Sequence, residues 1–179
     1  IFKPLGWGKV EDVVLAAPPG LRPLVVALDR VTDPHNVGAI LRSAEVFGAQ
    51  AVIAPARHAA PETGALAKTA SGALERQPYL RVGNLADTLI ELRDMGYVIL
   101  GLDGTGTETL PEALDALPGR ALCLVLGAEG PGLRERTRET CDRIVRIPFA
   151  AEFGSLNVSN AAAIASRTMA CSPSPDASK

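Results

Sequence analysis

Metal-binding side chains are scarce in this chain. His35 and His58 are its two imidazoles, and its three cysteines, Cys123, Cys141 and Cys171, form no Cys-x-x-Cys pair. Zinc centres take three or four such ligands at close spacing, so no metal site is expected. The thiols build no disulfide framework either, and Cys123, inside an apolar run, reads as a small core residue in a reducing, cytoplasmic setting. Aromatic residues are 4% of the chain and the net charge is −2, which leaves little for a bulk hold on nucleic acid. No apolar run is long enough to cross a bilayer, and the first residues show no signal-peptide pattern, so no membrane partner is expected.

What is present is an ordinary globular composition: 179 residues, 47% of them apolar and 21% charged, enough for one domain with a full core. Arginine outnumbers lysine fourteen to four, and Arg134, Arg136, Arg138, Arg143 and Arg146 fall within 13 residues. Arginine's planar fork suits bidentate phosphate contacts. Glu135, Glu139 and Asp142 are interleaved with this cluster, so it reads equally as a solvated helix face.

Continuous, β-branched runs mark buried strands at Leu24–Leu28, Ala51–Ala54, Tyr79–Val82, Tyr97–Leu102, Ala121–Leu126 and Arg143–Ile147. Helical spacing lies between them. Val37, Ile40, Leu41, Ala44 and Phe47 share one face of a helix that starts around Asn36 and stops at Gly48, and Asn84 caps a helix over Leu85–Met95. Further helices are expected from Pro61–Glu62 towards Lys68, over Leu133–Thr140 and over Leu156–Met169, with a helical turn around Leu110–Leu117. Strands alternating with helices, and hydrophobic without period-two alternation, imply an α/β fold: a parallel sheet flanked by helices on both faces.

Three strand-to-helix loops are unusually polar: Asp33-Pro-His-Asn36, Gly127-Ala-Glu129-Gly130-Pro-Gly132, and Ile147 through Ser155-Leu-Asn157-Val-Ser159. Helix N-termini present free N–H groups, and loops at the carboxyl ends of strands form the active site of α/β enzymes. Each loop alone is weak. His35, Gly38, Arg42 and Glu45 fall on one stripe of the first helix, where Glu45 is a ready ion-pair partner for Arg42. The glycine loop is neither a P-loop nor a dinucleotide fingerprint, and Glu129 at the mouth of an apolar strand must be solvated, paired or functional.

Taken together, the spaced loops resemble the SpoU (TrmH-like) branch of the SPOUT superfamily of RNA ribose 2′-O-methyltransferases. The resemblance is carried by Asp33-Pro-His-Asn36-Val-Gly-Ala-Ile-Leu-Arg42-Ser-Ala-Glu45, by Leu126-Gly127-Ala-Glu129-Gly130, and by Ile147-Pro148 with Ser155-Leu156-Asn157-Val-Ser159, and it runs from about Leu24 to Met169. Phe149, Ala151 and Asn160 depart from the residues usual in relatives. The resemblance implies a C-terminal trefoil knot holding S-adenosyl-L-methionine, and a homodimer through the knot region whose sites draw on both subunits. Gly127, Ile147 and Leu156 would hold the cofactor largely through backbone hydrogen bonds; Asn36, Glu129, Ser155 and Asn157 would cradle the target ribose and its phosphate. Arg42 is the family's proposed catalytic residue. Because a guanidinium resists deprotonation, a role stabilising the developing alkoxide is preferred to that of general base.

The same resemblance implies residues 1–20 as a linker and 21–170 as the methyltransferase domain, with the relatives' N-terminal RNA-binding domain absent or cut away, and the Ser- and Pro-rich residues 171–179 read as a disordered tail. Much of the RNA grip would then be missing, leaving the Arg134–Arg146 cluster as the main remaining hold. The implied substrate is rRNA, with a 23S guanosine favoured, or tRNA. Two rivals are a non-catalytic RNA-binding protein of the same fold and a small nucleotide-binding dehydrogenase. The second lacks its early glycine fingerprint.

Overall fold

The computed structural model describes residues 8–15, 20–150 and 156–171. A first helix, α1 (Val10–Leu15), precedes β1 (Leu24–Asp29), α2 (Pro34–Val46) and β2 (Ala51–Pro55). Then come α3 (Gly64–Ala70), α4 (Ala73–Arg76), β3 (Tyr79–Val82), α5 (Leu85–Asp94) and β4 (Val98–Leu102). The chain continues through β5 (Glu108–Thr109), α6 (Leu110–Asp115), β6 (Leu122–Gly127), α7 (Glu135–Thr140), β7 (Arg143–Arg146) and α8 (Val158–Ala170).

The strands form one sheet in the order β3-β2-β1-β6-β4-β7-β5, with every pairing parallel. β1 and β6 lie at its centre, and all six residues of β1 are buried. Alternate side chains of these strands enter two separate cores. Leu24, Val26, Leu28, Leu122, Leu124 and Leu126 pack with α2, α3, α6 and α8 on one face. Val25, Ala27, Cys123 and Val125 pack with α1 and α5 on the other. A strand covered on both faces has no polar side to alternate with, which is why these segments read as unbroken hydrophobic runs.

Strand register gathers the loops. Leu126 of β6 is level with Leu28 of β1 and Leu102 of β4, and Leu102 is level with Val145 of β7. The carboxyl ends of β1, β6, β4 and β7 are therefore contiguous, and the segments leaving them open onto one edge. The chain runs outward from β1 through β2 and β3 on one side and fills the other side afterwards, so the reversal point lies between β1 and β6. In open α/β sheets such a reversal forms the ligand crevice.

Several helix boundaries shift for local reasons. α2 begins at Pro34, with Asp33 as its cap: the Asp33 carboxylate accepts the His35 N–H at 3.0 Å. α3 begins at Gly64 instead of Pro61–Glu62 because Thr63 is its cap, accepting from the Leu66 N–H. The short α4 was not legible; Ser71 and Gly72 both turn left-handed and restart the helix. α7 opens two residues later than Leu133, since the Arg134 N–H is taken by Asp29 at 2.8 Å and holds that residue extended. Asn157 caps α8 and stands outside it together with Leu156.

Candidate active site

The cap of α8 is the centre of the site. The Asn157 side-chain carbonyl accepts the Ser159 N–H at 2.9 Å, an Asx cap of ordinary kind. That leaves its amide group to donate outward, to Glu129 Oε1 at 2.7 Å and to Asn36 Oδ1 at 3.1 Å. Glu129 Oε1 also accepts the Val158 N–H at 3.2 Å, at the opening of α8 where the helix dipole favours an anion. Asn36 in turn donates to Asp33 at 3.4 Å. One mesh of side chains thus ties the first turn of α2, the loop after β6 and the start of α8, segments as far apart as 121 residues in sequence.

Below this mesh lies a cavity of about 380 Å³. Leu102, Leu126, Ile147, Phe149, Leu156, Val158 and Ala161 supply its apolar lining, and Asp103, Thr105 and Glu129 its polar edge. The volume suits a small organic molecule of cofactor size. Its floor is shaped by main chain. A Cβ on Gly127 would fall 2.3 Å from the Gly132 carbonyl carbon and 2.5 Å from the Leu133 nitrogen, so the loop can fold back on the strand end only over a glycine. The Gly132 N–H closes this turn on the Ala128 carbonyl at 2.9 Å.

Of the residues expected from sequence, Gly127, Ile147, Leu156 and Glu129 line this one cavity, and Asn36 and Asn157 join Glu129 at its rim. Ser155 and Ala151 lie outside the described residues, as do 172–179 of the tail. Arg42 is not drawn into the mesh. It is exposed, and none of the ion pairs among the described residues includes it. The expected Arg42–Glu45 pair is replaced by another: Glu45 binds the Arg76 guanidinium of α4 through both oxygens, one contact at 3.1 Å. That hydrogen bond holds the Glu45 carboxyl below its ordinary value. The stripe carrying Arg42 faces α3 and α4, where His35 meets Thr69 at 3.2 Å and a Cβ on Gly38 would fall 2.7 Å from the Thr69 side chain.

Two acidic residues of the site were missed in the sequence. Asp29, fully buried at the end of β1, accepts the Arg134 N–H at 2.8 Å and its guanidinium at 2.6 Å, pinning the loop after β6 to the central strand. Asp103, beyond β4, binds Thr105 and, at 2.9 Å, Arg138. Burial pushes the Asp103 carboxyl up, but these hydrogen bonds and the Arg138 charge outweigh it, and the net shift is downward. Asp29, like Glu129, is an acid ending a very apolar strand, but its partner Arg134 lies 105 residues away and only the fold brings the two together.

The arginine cluster also changes meaning. Arg134 pairs with Asp29, Arg136 with Asp87 at 3.2 Å, Arg138 with Asp103, and Arg143 with Glu108 at 2.8 Å. Four of the five cations expected to meet phosphate are spent on carboxylates inside the chain. These partners come from other elements and not from the interleaved Glu135, Glu139 and Asp142, so the cluster is neither a free phosphate grip nor simply a solvated helix face.

The chain is similar to known proteins. Residues 23–167 match the SpoU rRNA Methylase family. A 23S rRNA (guanosine-2′-O-)-methyltransferase RlmB of Burkholderia sp is 52% identical over 143 residues, which are 80% of this chain and 57% of that protein. The RlmB of Vibrio vulnificus is 48% identical over 142 residues, 79% of this chain and 56% of that one. The chain thus spans a little over half the length of the curated relatives it matches. Among solved structures, the SpoU methyltransferase AviRb from Streptomyces viridochromogenes, in complex with the cofactor AdoMet, superposes with a TM-score of 0.78 at 28% identity, covering 90% of this chain and 63% of that one.

Proposed function

This chain belongs to the SpoU rRNA methylase family, and on that premise we propose that it transfers a methyl group from S-adenosyl-L-methionine to a ribose 2′-hydroxyl of RNA, a guanosine of 23S rRNA being the favoured target. The observation that carries the reading is the Asn36–Asn157–Glu129 mesh at the rim of a cavity lined by Gly127, Ile147 and Leu156. The curated relatives, named as enzymes of that specificity, support the choice of target.

The cavity fits the cofactor on its own terms: an apolar basin for an adenine, a polar edge of Asp103, Thr105 and Glu129 beside the main chain of the glycine loop, and a volume of about 380 Å³. Gly127, Ile147 and Leu156 would hold it there. The cofactor supplies an electrophilic methyl on a sulfonium; everything else falls to the chain. Asn157 and Asn36 have side chains whose geometry is already fixed, by the hydrogen bond between them, by that of Asn157 to Glu129 and by that of Asn36 to Asp33, so they orient a ribose without reorganising. The polar cradle holds the 2′-hydroxyl for in-line approach, with Ser155 assigned to it from its motif position. Arg42 stabilises the oxygen as its proton leaves, and an RNA phosphate or solvent takes that proton, because a guanidinium cannot.

Arg42 follows Asn36 by six positions, which at the helical pitch is about 120° around α2. It therefore turns away from the mesh of its own chain, and in a homodimer it would serve the site of a second copy. A homodimer through the knot region accommodates this. Val46 of α2 and Ile164 of α8, 74% and 43% exposed, offer apolar surface for such a contact. The cytoplasm, where ribosomal RNA is modified, is the proposed location.

The deciding experiment incubates the chain with methyl-labelled cofactor and unmodified 23S rRNA or tRNA, then maps ribose methylation. Label at a guanosine 2′-oxygen of 23S rRNA is the expected outcome. Label confined to tRNA would move the target, and cofactor binding without transfer to either RNA would favour the non-catalytic rival.

A further inference from the structure

We propose that the RNA strand approaches the site over the carboxyl ends of β1 and β2 and the adjoining end of α3, gripped by Arg30, Arg57 and Lys68, and not over the Arg134–Arg146 segment. This rests on the reading of the site as one for RNA methyl transfer.

Cations that hold a carboxylate stand apart from exposed ones that enter no ion pair among the described residues, a set that also includes Lys9, Arg42, Arg120 and Arg167. Arg134, Arg136, Arg138 and Arg143 each hold a carboxylate within 3.2 Å. Arg30, Arg57 and Lys68 are exposed and enter none of the ion pairs among the described residues. A phosphate meeting the first group must compete with an internal anion, whereas one meeting the second displaces only water and counterions.

Arg30 and Arg57 follow the carboxyl ends of two adjacent strands: β1 ends at Asp29 and β2 at Pro55, and the two pair in parallel with Ala27 level with Ile53. Adjacent strands are about 4.8 Å apart. Lys68 precedes Thr69, which contacts His35 in the first turn of α2 at 3.2 Å, one residue from Asn36 of the mesh. The acids on this edge are committed elsewhere: Asp33 caps α2, Glu45 binds Arg76, and Glu62 lies 3.9 Å from Arg81.

A second observation singles out Arg30. Its backbone sits at φ 60, a left-handed conformation that among the described non-glycine residues only Ser71 shares. Left-handed backbone costs a side-chain-bearing residue about 1–2 kcal/mol, and glycine would relieve it. The chain keeps a long cation there, exposed and without a carboxylate, at the mouth of the crevice. Such retained strain is typical of a side chain kept for binding.

The test measures binding of the full chain to unmodified 23S rRNA transcript by filter retention across a salt series. The triple variant Arg30→Ala/Arg57→Ala/Lys68→Ala is expected to bind at least roughly tenfold more weakly near 0.1 M salt, with its log–log salt slope reduced by about 2 to 3. The Arg136→Ala/Arg143→Ala control should stay within about twofold, and cofactor affinity should be unchanged in both. Arg30→Gly separates grip from architecture: its melting temperature should hold or rise while about one unit of salt slope is lost. Equal binding by the triple variant and the intact chain would overturn the path alone. An intact chain that bound the cofactor but neither retained nor methylated the RNA would overturn the methyl-transfer reading together with it. Lower melting temperature in Arg30→Gly with RNA binding intact would make Arg30 architectural and likewise overturn the proposal.

Discussion

The two halves of the sheet meet at the site but are built differently. The half carrying β6, β4, β7 and β5 makes its contribution from main chain and pairs three of its cations internally: the Gly127–Gly132 turn packs backbone on backbone, and Arg134, Arg138 and Arg143 are tied to Asp29, Asp103 and Glu108. The half carrying β1, β2 and β3, with α2 against α8, works through side chains: the Asn36–Asn157–Glu129 mesh, the unpaired Arg42, and the free Arg30, Arg57 and Lys68. Shape made by main chain is rigid and specific to one small molecule. Chemistry carried by side chains on fixed helix ends can meet a large, variable polymer. The contrast fits a pocket for a cofactor on one side and a landing surface for RNA on the other, and it can be attacked residue by residue.

Gly127→Val attacks the main-chain half and is the largest effect expected. Its new Cβ would lie 2.3–2.5 Å from three backbone atoms of Gly132 and Leu133, none of which can rotate away. Overpacking a fixed core commonly costs about 1–3 kcal/mol, and a clash with main chain belongs at or above the upper end. Cofactor binding by calorimetry should vanish and the melting temperature should fall by several degrees. Normal cofactor affinity in this variant would mean that the turn is soft and that the two halves do not differ as described.

Arg42→Ala attacks the side-chain half and should separate chemistry from structure. Arg42 is exposed and unpaired, so its removal should leave melting temperature and cofactor affinity nearly unchanged. Methyl transfer should drop by about 10²–10³-fold, the scale for losing one group that stabilises a developing oxyanion. Near-normal turnover would remove Arg42 from the mechanism.

Asn157→Asp probes the mesh more gently. An aspartate caps α8 as well as asparagine does, so stability should change by less than about 1 kcal/mol. The donor that met Glu129 Oε1 at 2.7 Å is replaced by a second carboxylate oxygen. Two carboxylates at that distance cannot both stay ionised, so one must take up a proton and its pKa must rise. Protonation restores a donor, so the variant's residual activity should increase relative to wild type as pH falls from 8 to 6. A parallel pH profile for the two proteins would show that the mesh is not a working part of the site.

The sequence was most informative where a single physical cause acts. Continuous apolar runs located β1, β2, β4 and β6 within a residue or two because burial on both faces leaves no alternative pattern. Asn84 announced α5 because an Asx side chain before an amphipathic run has one local use, accepting the Asp87 N–H at 3.2 Å. Asn36, Glu129 and Asn157 were legible as candidates through family resemblance, whereas their direct bonding across 28 and 121 residues was not. Pairing of charges was the least legible feature. Helical spacing offered Glu45 to Arg42, but α4, four residues long and opened by two left-handed residues, brought Arg76 to Glu45 instead. Asp29 was hidden because a buried acid is recognisable only once its partner, Arg134, 105 residues away, is placed.

Arg136→Ala is the smallest effect and the sharpest check on the contrast between the halves. From sequence, Arg136 belonged to the densest arginine cluster and was expected to grip RNA. In the fold its guanidinium meets Asp87 at 3.2 Å, with the two side chains 69% and 58% exposed. An ion pair that open is screened by solvent and contributes little, so stability should change by no more than the about 0.5 kcal/mol usual for a surface substitution. RNA affinity should likewise stay within about twofold and the salt slope within measurement, because a cation already compensated by a carboxylate releases few counterions when a phosphate arrives. Turnover should be unaltered, since Arg136 does not line the cavity. A loss of RNA affinity with a slope reduced by nearly one unit would show that Arg136 abandons Asp87 for phosphate in the complex. The half that pairs these cations internally would then be a second landing surface.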